Sequence, residues 1–143
     1  MDIYEEAVLN YITQSNQRFV NPQFSLVYDA KQDIGGSLPD FVVLDFELKT
    51  IFIVEVSKAY DIKNLLSKVK EKDERWILPL QKTIDTSLNQ WDFHVTLFIR
   101  EERTKYARES LREIENTSVI SLKNLNCFLG NGEFEGKNSL IVS

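Results

Sequence analysis

Two acids dominate the chemistry available to this sequence. Asp40 follows Pro39 at the head of an apolar run, Phe41-Val42-Val43-Leu44, and Glu55 lies inside a second run, Ile53-Val54-Glu55-Val56. A carboxylate in such a strand is costly to bury unless its charge is compensated. One divalent cation would compensate both, and hard oxygen ligands with waters suit Mg²⁺ or Mn²⁺. Such an ion could activate a water and neutralise the charge that builds on a phosphodiester during in-line attack. Each acid alone has a plainer explanation: Asp40 solvated at a strand start, Glu55 at a strand end or paired with a lysine. The two together, with a proline before one and apolar residues between, point to a site.

The segments carrying these acids read as a hairpin, because both are rich in β-branched and aromatic residues and the piece between, Glu47-Leu48-Lys49-Thr50, is short and mostly polar. With a turn centred on Leu48-Lys49, Val42 faces Glu55 and Asp40 faces Ser57. Opposed residues and residues two apart share a side of a sheet, so Asp40, Glu55 and Ser57 share a face. A register shift by two sets Asp40 opposite Glu55 without changing that face. Lys58 points the other way.

Around the hairpin, the spacing of Ile3, Tyr4, Ala7, Val8, Tyr11 and Ile12 predicts an amphipathic helix over 2–15, with Asp2 as its cap and Glu5 three residues on. Asn21-Pro22 is read as a break, Phe24 to Tyr28 as a strand, and Asp29 to Leu38 as a loop. A helix is expected over Asp61 to Trp76, ended or kinked by Pro79 near Leu78. Asp73 falls on its apolar stripe, which suggests a buried ion pair. Phe93 to Arg100 reads as a strand, Glu101 to Glu115 as a helix, Ser118 to Leu122 as a short strand and Leu140 to Val142 as a last one. The expectation is one α/β domain over 1–143, a mixed sheet with helices packed on it.

Composition bounds the class. The 143 residues are 43% hydrophobic and 27% charged, as in globular domains, and long enough for one core. No apolar run approaches a bilayer span, and the acidic start is unlike a signal peptide. Cys127 and His94 are each single, which argues against a disulfide or a Cys/His zinc site. These features read as a cytoplasmic protein with no membrane association. The net charge of -5 argues against a protein that coats DNA, and is compatible with a local basic patch.

Pro39-Asp40, a spacer, and then Glu55-Val56 on the next strand resemble the PD-(D/E)XK, or restriction-endonuclease-like, superfamily. The resemblance covers about residues 2 to 100 and implies an α-β-β-β-α-β core. It implies Asp40 and Glu55 as ligands of Mg²⁺ or Mn²⁺, joined by the Val56 carbonyl and, in some members, by an acid of the first helix, for which Glu5 is the better placed. It also implies a lysine near the water. Ser57 stands where that lysine is expected, and Lys58 follows it. Three outcomes stay open: Lys58, Lys63 or Lys68 reaches in, the metal works slowly alone, or the fold is kept and cleavage lost.

Other signals are weaker. Lys105, Arg108 and Arg112 form a stripe that could track a phosphate backbone, although such stripes are usually solvated. Lys68, Lys70, Lys72 and Arg75 interleave with Glu71, Asp73 and Glu74 as helix-surface pairs. Trp76, Trp91 and Cys127 read as core, and His94 as a structural histidine. The expected activity is metal-dependent phosphodiester hydrolysis, on DNA rather than RNA, by a homodimer or beside a partner subunit. The alternatives are a non-catalytic module of the same fold and a structural protein in which the paired acids are coincidental.

Overall fold

A computed structural model describes residues 1–14, 17–22, 26–29, 34–37, 39–84, 90–129 and 139–142, with backbone alone at 26–29, 34–37 and 126–129. Helix α1 spans Ile3–Thr13. Five strands come next: β1 (Arg18–Pro22), β2 (Leu26–Asp29), β3 (Ile34–Ser37), β4 (Phe41–Asp45) and β5 (Thr50–Ser57). Then come α2 (Lys63–Lys70), a π-helical turn (Asp73–Ile77), α3 (Leu78–Thr83), β6 (Asp92–Ile99), α4 (Glu101–Ser110), β7 (Thr117–Ser121) and α5 (Leu122–Leu129). The expected α/β class holds. The expected α-β-β-β-α-β order does not, because β1 and β3 are strands where a break at Asn21-Pro22 and a loop were read.

Sheet order is β1-β4-β5-β6-β7, with β2 and β3 forming a separate two-stranded sheet. β1, β4 and β5 are antiparallel, and β5, β6 and β7 run parallel. Pro22 is accommodated because β1 is an edge strand and Pro22 its last residue, where a missing donor disturbs least.

Alternation on the strands divides the core in two. Val42, Ile51, Ile53, Val95, Leu97 and Ile99 pack with Ile62, Leu66, Trp76, Leu80 and Ala107 from the helices that connect the parallel strands. Phe41, Val43, Phe52, Val54 and Phe98 pack on the other face with Val8 and Ile12 of α1 and Leu125 of α5. The central strands therefore carry apolar side chains on both faces, as buried parallel strands must. In α1, Asp2 accepts from the Glu5 amide at 2.8 Å, the expected cap, while Ile3 and Tyr4 of its apolar pattern stay exposed.

The long helix read over 61–76 is broken. α2 stops at Lys70 and a π-helical turn follows; Asp73, its first residue, is exposed, and Trp76 within it is fully buried. Pro79 lies just past the junction where the π-helical turn gives way to α3, so the helix changes type near Leu78 instead of ending there. α4 stops at Ser110, five residues short of the expected end. Residues 140–142 form no strand; Thr96 Oγ1 donates to the Leu140 carbonyl at 2.6 Å, and Ser118 Oγ accepts from the Val142 amide at 2.8 Å. The side chain of Cys127 lies outside the described residues.

Candidate metal centre

The hairpin closes through four residues, 46–49, and not through Leu48-Lys49 alone. Asp45 does this: its Oδ1 accepts from the amides of Glu47 (3.1 Å) and Leu48 (2.9 Å), an Asx-type turn, and Lys49 completes the loop at φ 51°. Asp45 then pairs with Thr50, and Phe41 with Val54. Val42 thus faces Ile53, not Glu55, and the register differs by two from that of a turn centred on Leu48-Lys49. One step beyond Phe41–Val54, Asp40 comes opposite Glu55.

The next pair would join Pro39 to Val56. Pro39 has no N–H to offer the Val56 carbonyl, so the ladder stops there, and the Val56 amide donates instead to Asp40 Oδ2 at 2.7 Å. Asp40, Glu55 and Ser57 lie on the face of Val42, Ile51 and Ile53, as the alternation requires.

The two carboxyls perturb each other by charge and by a hydrogen bond in which a protonated Glu55 would be the donor. Burial, then the charge of Asp40 and this bond, push the Glu55 carboxyl up to about 9. Burial also raises Asp40, against the Val56 amide, the Glu55 proton and Lys68, which favour its ionised form. Glu5 is raised too, by burial and then by Asp40 and Asp2. Asp2 at the cap of α1 acts on Asp40, Glu5 of α1 acts on Glu55, and Lys68 of α2 acts on both. Among the described residues no group of three or more His, Cys, Asp or Glu side chains is gathered as a metal cage. The two carboxyls, once both are ionised, would be a partial donor set of the kind Mg²⁺ completes with waters.

The other expected residues are dispersed. Lys58 lies on the opposite face, with Nζ 5.8 Å from the Tyr4 ring centroid. Ser57 Oγ accepts from the Ala59 amide at 3.2 Å and so shapes the exit of β5. Lys68, one of the three lysines left open by the resemblance, supplies positive charge at the pair, and its packing position singles it out. The Lys105, Arg108 and Arg112 stripe is not continuous: Arg112 lies beyond the end of α4, and Arg108 Nη2 donates to the Val119 carbonyl at 3.0 Å. Lys105 is exposed.

The remaining readings separate cleanly. Arg75 and Glu71 pair at 3.2 Å across one helical turn. Trp91 is partly buried and packs edge-on to Phe46, with centroids 5.2 Å apart. His94 is buried, 2.7 Å from Ser118 Oγ, and burial lowers it to about 4 with help from the charge of Lys72. It is a neutral structural histidine at physiological pH. No helix among the described residues is long and apolar enough to cross a membrane. No protein-family model, curated protein or solved structure matches the chain.

Proposed function

We infer that the protein is a metal-dependent nuclease with a divergent PD-(D/E)XK site, hydrolysing phosphodiesters of DNA in preference to RNA. The observation that carries this reading is the Asp40–Glu55 pair, brought opposite each other by the β4–β5 register at a place where a cation would offset both charges. Asp40, Glu55 and the Val56 carbonyl would hold Mg²⁺ or Mn²⁺, and Glu5 would add negative charge to the site. The metal would supply a more acidic water and neutralise charge on the reacting phosphate. Lys68 takes the place of the motif lysine that Ser57 lacks, orienting the water or the phosphate. The site lies near the carboxyl ends of β5 and β6, the edge of an α/β sheet where ligands bind.

The test is cleavage of plasmid and short oligonucleotides with Mg²⁺ or Mn²⁺. Cutting that disappears with EDTA, with Asp40→Asn and with Glu55→Gln supports the reading. A second reading, a nuclease fold retained as a binding module, draws on Ser57 serving its own turn. It predicts salt-sensitive nucleic-acid binding, or capture of a partner subunit, without cutting in either metal.

A further inference from the structure

The parallel strands end in register, Ser57 beside Ile99 and Ile99 beside Ser121. Chain leaving these ends builds a surface of cations and exposed rings that the acid pair does not use. Arg103 on α4 lies between two tyrosines, its guanidinium carbon 4.5 Å from the Tyr60 centroid and 4.4 Å from the Tyr106 centroid. Both rings remain open, Tyr60 at 60% exposure and Tyr106 at 40%. Arg103 Nε is shielded from water and has no hydrogen-bond acceptor among the described residues. Arg103 as a whole is half-buried, so a phosphate would meet its terminal guanidinium nitrogens rather than the sealed Nε. Across the strand ends, Lys58 and Lys123 line a cleft of about 410 Å³ together with Arg100. Glu101 and Glu102 also line it, and Glu102 holds Arg100 at 3.0 Å, so the cations left to a ligand are the two lysines.

Cations alone would suit any polyanion. Exposed aromatic faces interleaved with them suit one whose bases are accessible, because each base has a face to stack while a duplex keeps its bases inside. We propose that this edge is a track for a nucleic-acid strand with unpaired bases, stacked on Tyr60 and Tyr106 and with phosphates on Arg103, Lys58 and Lys123. This deepens the nuclease reading and rests on it for the ligand being a nucleic acid. The preferred substrate is a single strand, or the unpaired segment of a duplex.

The experiment is fluorescence anisotropy on the full chain in EDTA, which stops metal-dependent cutting, using a labelled single strand and the blunt duplex of the same sequence. The single strand is expected to bind at least tenfold tighter. Tyr60→Ala and Tyr106→Ala each weaken it about tenfold, and Tyr60→Phe, which keeps the ring, leaves it unchanged. Should an alanine variant fail to fold, Tyr60→Leu, bulky but without a π face, carries the same expectation. A duplex bound as tightly as the single strand, or alanine variants that melt and bind like the parent, overturns the proposal. Single-strand binding without Mn²⁺-dependent cutting defeats the nuclease reading and supports the track. Duplex cutting without single-strand preference defeats the track and supports the nuclease, and binding of neither nucleic acid defeats both.

Discussion

Arg18 on the edge strand reaches Asp45 at the end of β4, Nε to Oδ2 at 3.0 Å, with both side chains almost sealed from solvent at 2% and 4% exposure. The other oxygen of Asp45 holds the turn that sets the β4–β5 register. A pair remote from the acids therefore decides that Asp40 meets Glu55.

Breaking that pair should be costly, because one charge would remain buried without its partner. Asp45→Asn keeps an acceptor for the turn amides but removes the charge facing Arg18. It is expected to lose about 3 kcal/mol of stability in urea melts, near the lower end for broken buried pairs. Asp45→Ala should lose more, since the turn amides lose their acceptor as well.

The Glu55 carboxyl makes stability depend on pH in a fixed direction. Its folded value, about 9, lies above the ordinary carboxylate value of 4.5. Between these the native state holds a proton that the unfolded chain has released, so stability falls as pH rises across that window. Metal-free protein should therefore melt lower at pH 8.5 than at pH 5.5, and Glu55→Gln should flatten that slope. Mn²⁺ should raise the melting temperature most at high pH, and its binding should release protons in buffers of different ionisation heat.

Lys68 lowers the proton affinity of both acids and is the cation α2 brings to them. If it orients the water or the phosphate, Lys68→Met should reduce kcat by about 100-fold while Mn²⁺ still raises the melting temperature. Lys58→Met should not reproduce that loss of kcat, because Lys58 faces Tyr4 on the other side of the sheet.

His94 carries the opposite sign. Its folded value near 4 lies below the ordinary 6.5, so the unfolded chain gains a proton first as pH falls. Its contribution is intact above about pH 6.5 and is lost progressively down to about pH 4. The His94 ring should show neutral chemical shifts by NMR at pH 6, and His94→Asn should lessen the acid-induced fall in melting temperature.

Much of the site was legible without coordinates because side-chain direction in a strand has a period of two. Any register that differs by two keeps Asp40, Glu55 and Ser57 on one face, so the shared face survived an incorrect turn. Apolar periodicity likewise marked β5, β6 and α1 and separated Val8 and Ile12 from solvent. β1 escaped because Asn21-Pro22 looks like a break until an edge position makes the proline harmless. β3 escaped because Gly35-Gly36 carries a turn's composition into a strand.

The sequence by itself determined which residues alternate, which helices are amphipathic and that two acids lie on neighbouring strands, since these arise from local spacing. The tertiary structure decided the register, through Asp45 and a distant Arg18, and the break of the helix after Lys70, where a π-helical turn follows. It also decided that Lys68, not Lys58, sets the field at the acid pair. Each of these depends on contacts between residues far apart in the chain, and no local pattern encodes which of them meet.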